Sequence, residues 1–146
     1  MGWHWKNHFL FLLPPIIWNL VFTPLLPMDH FLGEAPFWVV LVENLFRIIT
    51  FTLPLFLPVV WDHKRFRTGL KLYTVGLLLY FGSWMHLMIS PDSSLAGLAV
   101  YQLAPAFTPM IWLAGMSMMS RSRFYGLASF FFISFHVMEY VFRLMN

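Results

Sequence analysis

The sequence predicts an all-α fold class, a polytopic membrane helix bundle of about five transmembrane helices. Composition is the first reason, because 60% of the 146 residues are hydrophobic and only 10% are charged, whereas soluble domains carry about 25% charged residues. Length is the second reason, because a bilayer core about 30 Å thick requires about 20 apolar residues in helical form. Such runs fill a single transmembrane domain, 1–146, at 9–27, 36–60, 69–90, 98–119 and 125–145.

Successive apolar runs are separated by polar residues, glycine or proline. The first span follows Lys6 and lacks a small-x-small cleavage site, so we interpret it as a retained helix and not as a signal peptide. The second begins at a proline, the third follows a basic loop, and the fourth and fifth each follow a short polar loop. The predicted loops are 27–30, 62–67, 91–94 and 121–123. Prolines inside the first, second and fourth spans predict kinks, which can open a cavity between helices.

Positive charges are unevenly distributed over the predicted loops and predict the orientation. Loops rich in Lys and Arg stay on the cytoplasmic side, so we place the N-terminus in the cytoplasm and the C-terminus outside. The residues on the predicted cytoplasmic side are Lys6, Lys64, Arg65, Arg67, Lys71, Arg121 and Arg123. We expect a multi-pass protein of a cytoplasmic or plasma membrane, with an organelle membrane as the alternative, and the lipid bilayer as its first partner.

Composition also excludes several classes of function. The chain has no cysteine, which excludes disulfides, thiolate metal sites, iron–sulfur clusters and cysteine nucleophiles. The formal charge of +3 is spread over short loops, so no nucleic acid partner is predicted. Ser-His-Asp order, His-Glu-x-x-His and a glycine-rich phosphate loop are missing from the sequence. The sequence therefore does not decide whether the protein is an enzyme.

Polar side chains inside the spans indicate where a function would be located. An ionisable side chain at the centre of a bilayer costs about 2.5–3.5 kcal/mol to insert, so residues of this kind predict a functional site. In the five-span arrangement they all fall in the outer halves of the spans, which predicts one polar layer beneath the outer surface. These residues are Asn19, Glu43, Asn44, Arg47, His86, Gln102, His136, Glu139 and Arg143.

Two segments of the layer share a Glu-x-aliphatic-Phe-Arg pattern, at 43–47 and at 139–143. Because side chains four residues apart lie on one helix face, each segment directs both of its charges to the same side. The two helices run in opposite directions in the predicted bundle. We therefore expect the segments to cross-pair, with Glu43 reaching Arg143 and Arg47 reaching Glu139.

The polar layer predicts a pocket that binds a small lipophilic or amphipathic molecule and that could also transport it. A pocket of this kind needs apolar walls and a few polar contacts. The aromatic residues near the layer are Trp18, Trp84, Tyr101 and Tyr140. Together with the nine polar residues they make up the predicted ligand-binding set.

The same layer permits other chemistry. An intramembrane isomerase or hydrolase of a lipophilic substrate would use Glu43, His136 and Glu139 as acid and base groups. A haem or a divalent metal ion would be bound by His86, His136 and Glu139, which offer nitrogen and oxygen ligands. Both alternatives remain open at the level of the sequence.

A role as an accessory subunit of a membrane complex is a further alternative. In that role the polar face would contact a partner subunit. Glycines in the third and fourth spans, Gly76, Gly82 and Gly115, permit close helix contacts. Such contacts could form within one chain or between the chains of a homo-oligomer.

Overall fold

The computed structural model describes residues 7–26, 33–59, 61, 64–89 and 99–145, with the backbone alone at 99–101. The described residues are helical and contain no strand, which confirms the predicted fold class. The helices are α1 (Leu13–Phe22), α2 (Phe37–Thr52), α3 (Lys64–Ile89), α4 (Ala99–Phe107), α5 (Pro109–Ser120) and α6 (Arg123–Met145). Short 3-10 turns extend α1 at both ends, His8–Phe11 and Thr23–Leu25, and α2 at its end, Leu53–Leu55.

Four helical segments are long and apolar enough to cross a membrane: His8–Leu25, Phe37–Leu55, Lys64–Ile89 and Arg123–Met145. Many of their large apolar side chains lie on the outside of the bundle, as lipid contact requires. Leu20 and Phe37 are among the most exposed. These features are compatible with a multi-pass membrane protein. Which end of the bundle faces the cytoplasm stays a prediction.

The fourth predicted span is divided into two helices. Thr108 separates α4 from α5, with Pro105 inside α4 and Pro109 at the first position of α5. A proline has no N–H to donate to the preceding turn, so the helical hydrogen-bond ladder is interrupted there. The Ala104 carbonyl still accepts from the Thr108 N–H at 3.0 Å, and it also accepts from the Thr108 hydroxyl at 2.7 Å. Neither half alone is long enough to cross a bilayer.

The predicted loop at 62–67 is wrong in its second half, because α3 already begins at Lys64. Lysine and arginine have high helix propensity, so a basic segment beside a span can continue the helix beyond the apolar run. The predicted loops at 27–30 and 91–94 lie outside the described residues.

Glycines bring α3 and α5 into close contact within the chain. A Cβ atom at Gly69 would lie 2.7 Å from the Gly115 carbonyl oxygen, and one at Gly115 would lie 2.5 Å from the Tyr73 nitrogen. A Cβ at Gly76 would overlap the Trp112 backbone. By contrast, a Cβ at Gly82 would have no neighbour within 4 Å among the described residues outside its own helical backbone. The predicted close helix contact is therefore made by Gly76 and Gly115 inside this bundle, joined by Gly69.

The first helix is held to the bundle by hydrogen bonds at several levels. The Tyr73 hydroxyl donates to the Phe11 carbonyl at 2.6 Å, and the Tyr80 hydroxyl donates to Oδ1 of Asn19 at 2.5 Å. Before α1, the His8 backbone N–H donates to the Leu57 carbonyl at 3.0 Å. These contacts fix α1 against α3 and against the end of α2.

Candidate functional site

A cavity of about 640 Å³ lies inside the bundle. Side chains from all six helices line it, and seven of the fifteen belong to the C-terminal halves of α1, α3 and α6. That end of the bundle is the one predicted to face outward. The lining residues are Asn19, Thr23, Leu26, Arg47, Phe51, Tyr80, Trp84, Pro105, Pro109, Trp112, Phe132, His136, Glu139, Tyr140 and Arg143.

A fully buried carboxylate links α2 to α6 behind the cavity wall. Arg47 donates to Oε1 of Glu43 from Nε at 3.1 Å and from Nη2 at 2.5 Å. Nδ1 of His136 lies 3.1 Å from the same oxygen. Because an ionised carboxylate can only accept, we assign the proton of this hydrogen bond to Nδ1. Glu43 therefore orients one arginine and one histidine toward the cavity.

A second ion pair lies one turn further along α6. Arg143 donates to Oε1 of Glu139 from Nε at 3.0 Å and from Nη2 at 2.8 Å. Its Nη1 donates to the Gly33 carbonyl at 3.0 Å, before α2 begins. A Cβ at Gly33 would overlap the Arg143 backbone, so this close approach between the end of α6 and the start of α2 depends on glycine.

The predicted cross-pairing of the two Glu/Arg segments is wrong. Each arginine pairs with the glutamate four residues before it on its own helix. This spacing brings the two side chains together without any requirement on the neighbouring helix. Glu43 instead forms its ion pair across the two helices with His136.

Aromatic rings form the apolar walls of the cavity. The Tyr80 ring lies 5.8 Å from the Trp84 ring and 6.5 Å from the Trp112 ring. On α6, Phe132 stacks on His136 with ring centroids 5.5 Å apart. The charged lining residues therefore come from α2 and α6, and aromatic lining residues come from α2, α3, α5 and α6.

The predicted ligand-binding residues divide into four groups. Seven line the cavity: Asn19, Arg47, Trp84, His136, Glu139, Tyr140 and Arg143. Glu43 lies behind the wall and acts through Arg47 and His136. The residues that do not line the cavity are Trp18, Asn44, His86 and Gln102. The side chain of Tyr101 lies outside the described part of the chain. Trp18 instead stacks on Phe81 with centroids 4.2 Å apart.

Sequence reasoning missed several lining residues. The most important are Tyr80 and Trp112 in the aromatic wall. A signal for Tyr80 was present, because it lies four residues before Trp84 and therefore on the same helix face. The sequence carried no comparable signal for Trp112, because its contact with Tyr80 depends on how α5 packs against α3.

Three side chains could together bind a metal ion. One ligand atom each from Glu43, His136 and Glu139 lies within 4.8 Å of the others. The set has one histidine and two carboxylates, which suits zinc, iron or manganese. His86, predicted as a ligand, is not part of this group of described residues. Both carboxylates already hold an arginine, so an incoming cation would have to compete with two guanidinium groups.

The fold and the cavity together define the class of protein: a small helical bundle, compatible with a multi-pass membrane protein, that encloses a partly charged and partly aromatic cavity. No protein-family model, no curated protein and no solved structure matches the chain.

Proposed function

We propose that the protein binds a small amphipathic molecule in the cavity between its helices. The observation that carries this proposal is the cavity itself, with a volume of about 640 Å³ and walls that combine charged side chains with aromatic rings. Ligand pockets have volumes of about 300–1,000 Å³ and apolar walls with a few oriented polar groups. Transport of the same molecule would be an extension of binding.

The hydrogen bonds of the charged residues support a role beyond holding helices together. Four of the hydrogen bonds made by Arg47 and Arg143 remain within one helix and connect it to no other element. Insertion of an ionisable group costs about 2.5–3.5 kcal/mol, whereas an interhelical hydrogen bond in a membrane protein returns about 0.6 kcal/mol on average. Ion pairs within one helix that orient guanidinium groups toward a cavity are better explained by ligand binding than by a role in holding helices together.

The proposal is tested by ligand-dependent thermal stability in lipid nanodiscs, with a panel of decyl amphiphiles as probes. We expect at least one probe to raise the unfolding midpoint of the unmodified protein saturably. His136→Ala and Glu139→Gln should abolish that response while the protein still inserts. Asn44→Ala is the matched control, because this polar residue of α2 does not line the cavity. An equal response in all variants, or no response to any probe, would contradict the proposal.

A second candidate function is metal binding by Glu43, His136 and Glu139, which the proximity of their ligand atoms favours. Metal analysis and an absorption spectrum of the purified protein test it. Stoichiometric metal that is lost in His136→Ala and Glu139→Gln would support a metal-dependent protein, and a haem spectrum would support a haem protein. Metal-free, colourless protein that still responds to an amphiphile would support the first proposal.

A further inference from the structure

We infer that the ligand of the cavity carries an anionic head group with acceptor oxygens, a carboxylate or a phosphate, on an apolar body. This inference rests on the proposed function, because it names the ligand class for the same cavity. Three features of the lining residues carry it: the exposure of the charges, the unused donor of Arg47 and the buried indole N–H groups.

The cavity exposes its cations more than its anions. The side chains of Arg47 and Arg143 are 46% and 33% exposed, whereas those of Glu43 and Glu139 are 0% and 13% exposed. The carboxylates hold the guanidinium groups from behind and stay hidden themselves. A bound molecule therefore meets positive charge first, although the four charges sum to zero.

Arg47 retains hydrogen-bonding capacity for a ligand. Glu43 accepts from Nε and Nη2 through a single oxygen, and Nη1 of Arg47 has no partner among the described residues. A guanidinium has five N–H donors in a rigid fork, so the free edge can bind a carboxylate or phosphate oxygen. Charge-assisted bonds of this kind are about twice as strong as neutral ones.

Two indole N–H groups in the aromatic wall are also unused. Trp84 and Trp112 line the cavity and are 7% and 3% exposed. Nε1 of each is buried without a hydrogen-bond partner among the described residues. A buried donor without an acceptor is destabilising. Acceptor oxygens on a ligand would remove that cost, and an ammonium group could not.

A cationic ligand fits the cavity poorly. Its ammonium group would lie beside two guanidinium groups, and the best-placed carboxylates are already bonded to them. Each arginine bonds to Oε1 alone, but the second oxygen of Glu43 is buried and the Glu139 side chain is only 13% exposed. The more exposed guanidinium groups therefore favour an anionic head group over an ammonium group.

Chain-matched probes test the inference in phosphatidylcholine nanodiscs. Decanoate, decanol and decylamine share one alkyl chain and differ in head group, and thermal unfolding reports their binding. We expect decanoate to bind at least about tenfold more tightly than decanol, since one charge-assisted hydrogen bond is worth about 1.5–3 kcal/mol. Decylamine should bind more weakly than decanol. Benzoate, which stays in water, distinguishes a soluble organic anion from a lipid-derived one such as decanoate.

Three variants assign the effect to the cavity. Arg47→Gln should lower decanoate affinity about tenfold or more and decanol affinity by much less, because the charged head group makes the stronger hydrogen bond to the guanidinium. Arg47→Lys keeps the charge that balances Glu43 and should retain part of the affinity. Trp112→Phe should lower decanoate affinity, because phenylalanine has no N–H donor. Arg67→Gln and Trp18→Phe are matched controls outside the lining and should bind like the unmodified protein.

The outcomes separate the two proposals. Binding of decanol or decylamine as tight as that of decanoate, lost in His136→Ala, would overturn the anionic head group and leave the proposed cavity function in place. The anionic head group would also be overturned if decanoate affinity stayed unchanged in all three variants, Arg47→Gln, Arg47→Lys and Trp112→Phe. If none of the probes binds, the proposed function fails together with the inference.

Discussion

Glu43 is the residue on which the charged side of the cavity depends. It is fully buried, and its Oε1 accepts hydrogen bonds from Arg47 on its own helix and from His136 on α6. Its other oxygen is buried, with no hydrogen-bond partner in the part of the chain that the structure describes. A buried carboxylate of this kind is stabilised only while its partners remain in place. The same interactions fix the directions of two side chains that face the cavity.

Removal of this carboxylate should destabilise the protein markedly. We expect Glu43→Ala to lower the free energy of unfolding by about 3 kcal/mol, the lower end of the range for breaking a buried ion pair. The lower end applies because Arg47 keeps access to the cavity. Unfolding by SDS titration in mixed micelles measures the change.

Glu139→Ala is the matched control for this prediction. It also removes an i,i+4 partner of an arginine, but Glu139 is only partly buried and makes no hydrogen bond to another helix among the described residues. We expect a loss of about 1 kcal/mol or less, as for exposed ion pairs. Equal losses in the two variants would show that the contact with His136 adds nothing.

At the scale of the helices, the position of α5 against α3 depends on glycines, which have no side chain to keep the two backbones apart. Gly69 and Gly115 face each other where these helices cross, and Gly76 faces Trp112. Close backbone approach of this kind is common between membrane helices, where packing must replace the hydrophobic effect. It also brings Trp112 beside Tyr80 and so builds the aromatic wall of the cavity.

A methyl group at this crossing should push the two helices apart. We expect Gly115→Ala to lower the free energy of unfolding by about 1–3 kcal/mol, the usual cost of overpacking. Gly82→Ala is the control on α3, since nothing lies within 4 Å of its Cβ position, and it should be neutral or slightly stabilising. The same SDS titration measures both. Equal effects at the two positions would contradict close packing of α3 on α5.

The division between α4 and α5 also shapes the cavity. Pro105 and Pro109 both line it, on either side of Thr108. A continuous helix would instead present an unbroken hydrogen-bonded backbone at this point. The interruption therefore places prolines in the wall opposite the charged residues of α6.

At the scale of the whole molecule, charge is separated along the bundle. Arg47 and Arg143 line the cavity, whereas the basic residues 64–67 begin α3 and 121–123 join α5 to α6. Gly69 near the start of α3 packs against Met118 and Met119 near the end of α5, so these two basic segments lie at the same end. The positive-inside rule predicts that this end faces the cytoplasm.

Cysteine labelling tests this orientation without background, because the chain has no cysteine. Single cysteines at the exposed positions Glu34 and Arg121 are probed with a membrane-impermeant maleimide on intact cells. We expect Glu34→Cys to react from outside and Arg121→Cys to react only after permeabilisation. The reverse pattern would invert the orientation, and reaction of both from one side would contradict the predicted alternation of the spans.

Several features of the fold and of the site could be predicted from local sequence. Hydropathy over about 20 residues located the membrane helices. Helical spacing placed Glu139 with Arg143, and Glu43 with Arg47, on one helix face, and these shared faces are present in the structure, although each pair forms within its own helix and not across helices as predicted. Prolines at 105 and 109 predicted a kink in the fourth span, where the structure has a break between α4 and α5. Each of these features depends on neighbours along one helix.

The tertiary structure alone decided which helices meet and how each is rotated about its axis. It paired Glu43 with His136 and not with Arg143, placed Trp112 in the cavity wall, and left His86 out of it. In a soluble helix the apolar face identifies the interior, but a membrane helix is apolar toward lipid as well as toward its neighbours. The sequence by itself therefore determined where the helices lie along the chain and which polar residues they carry. The packing of the helices decided which of those residues share a cavity.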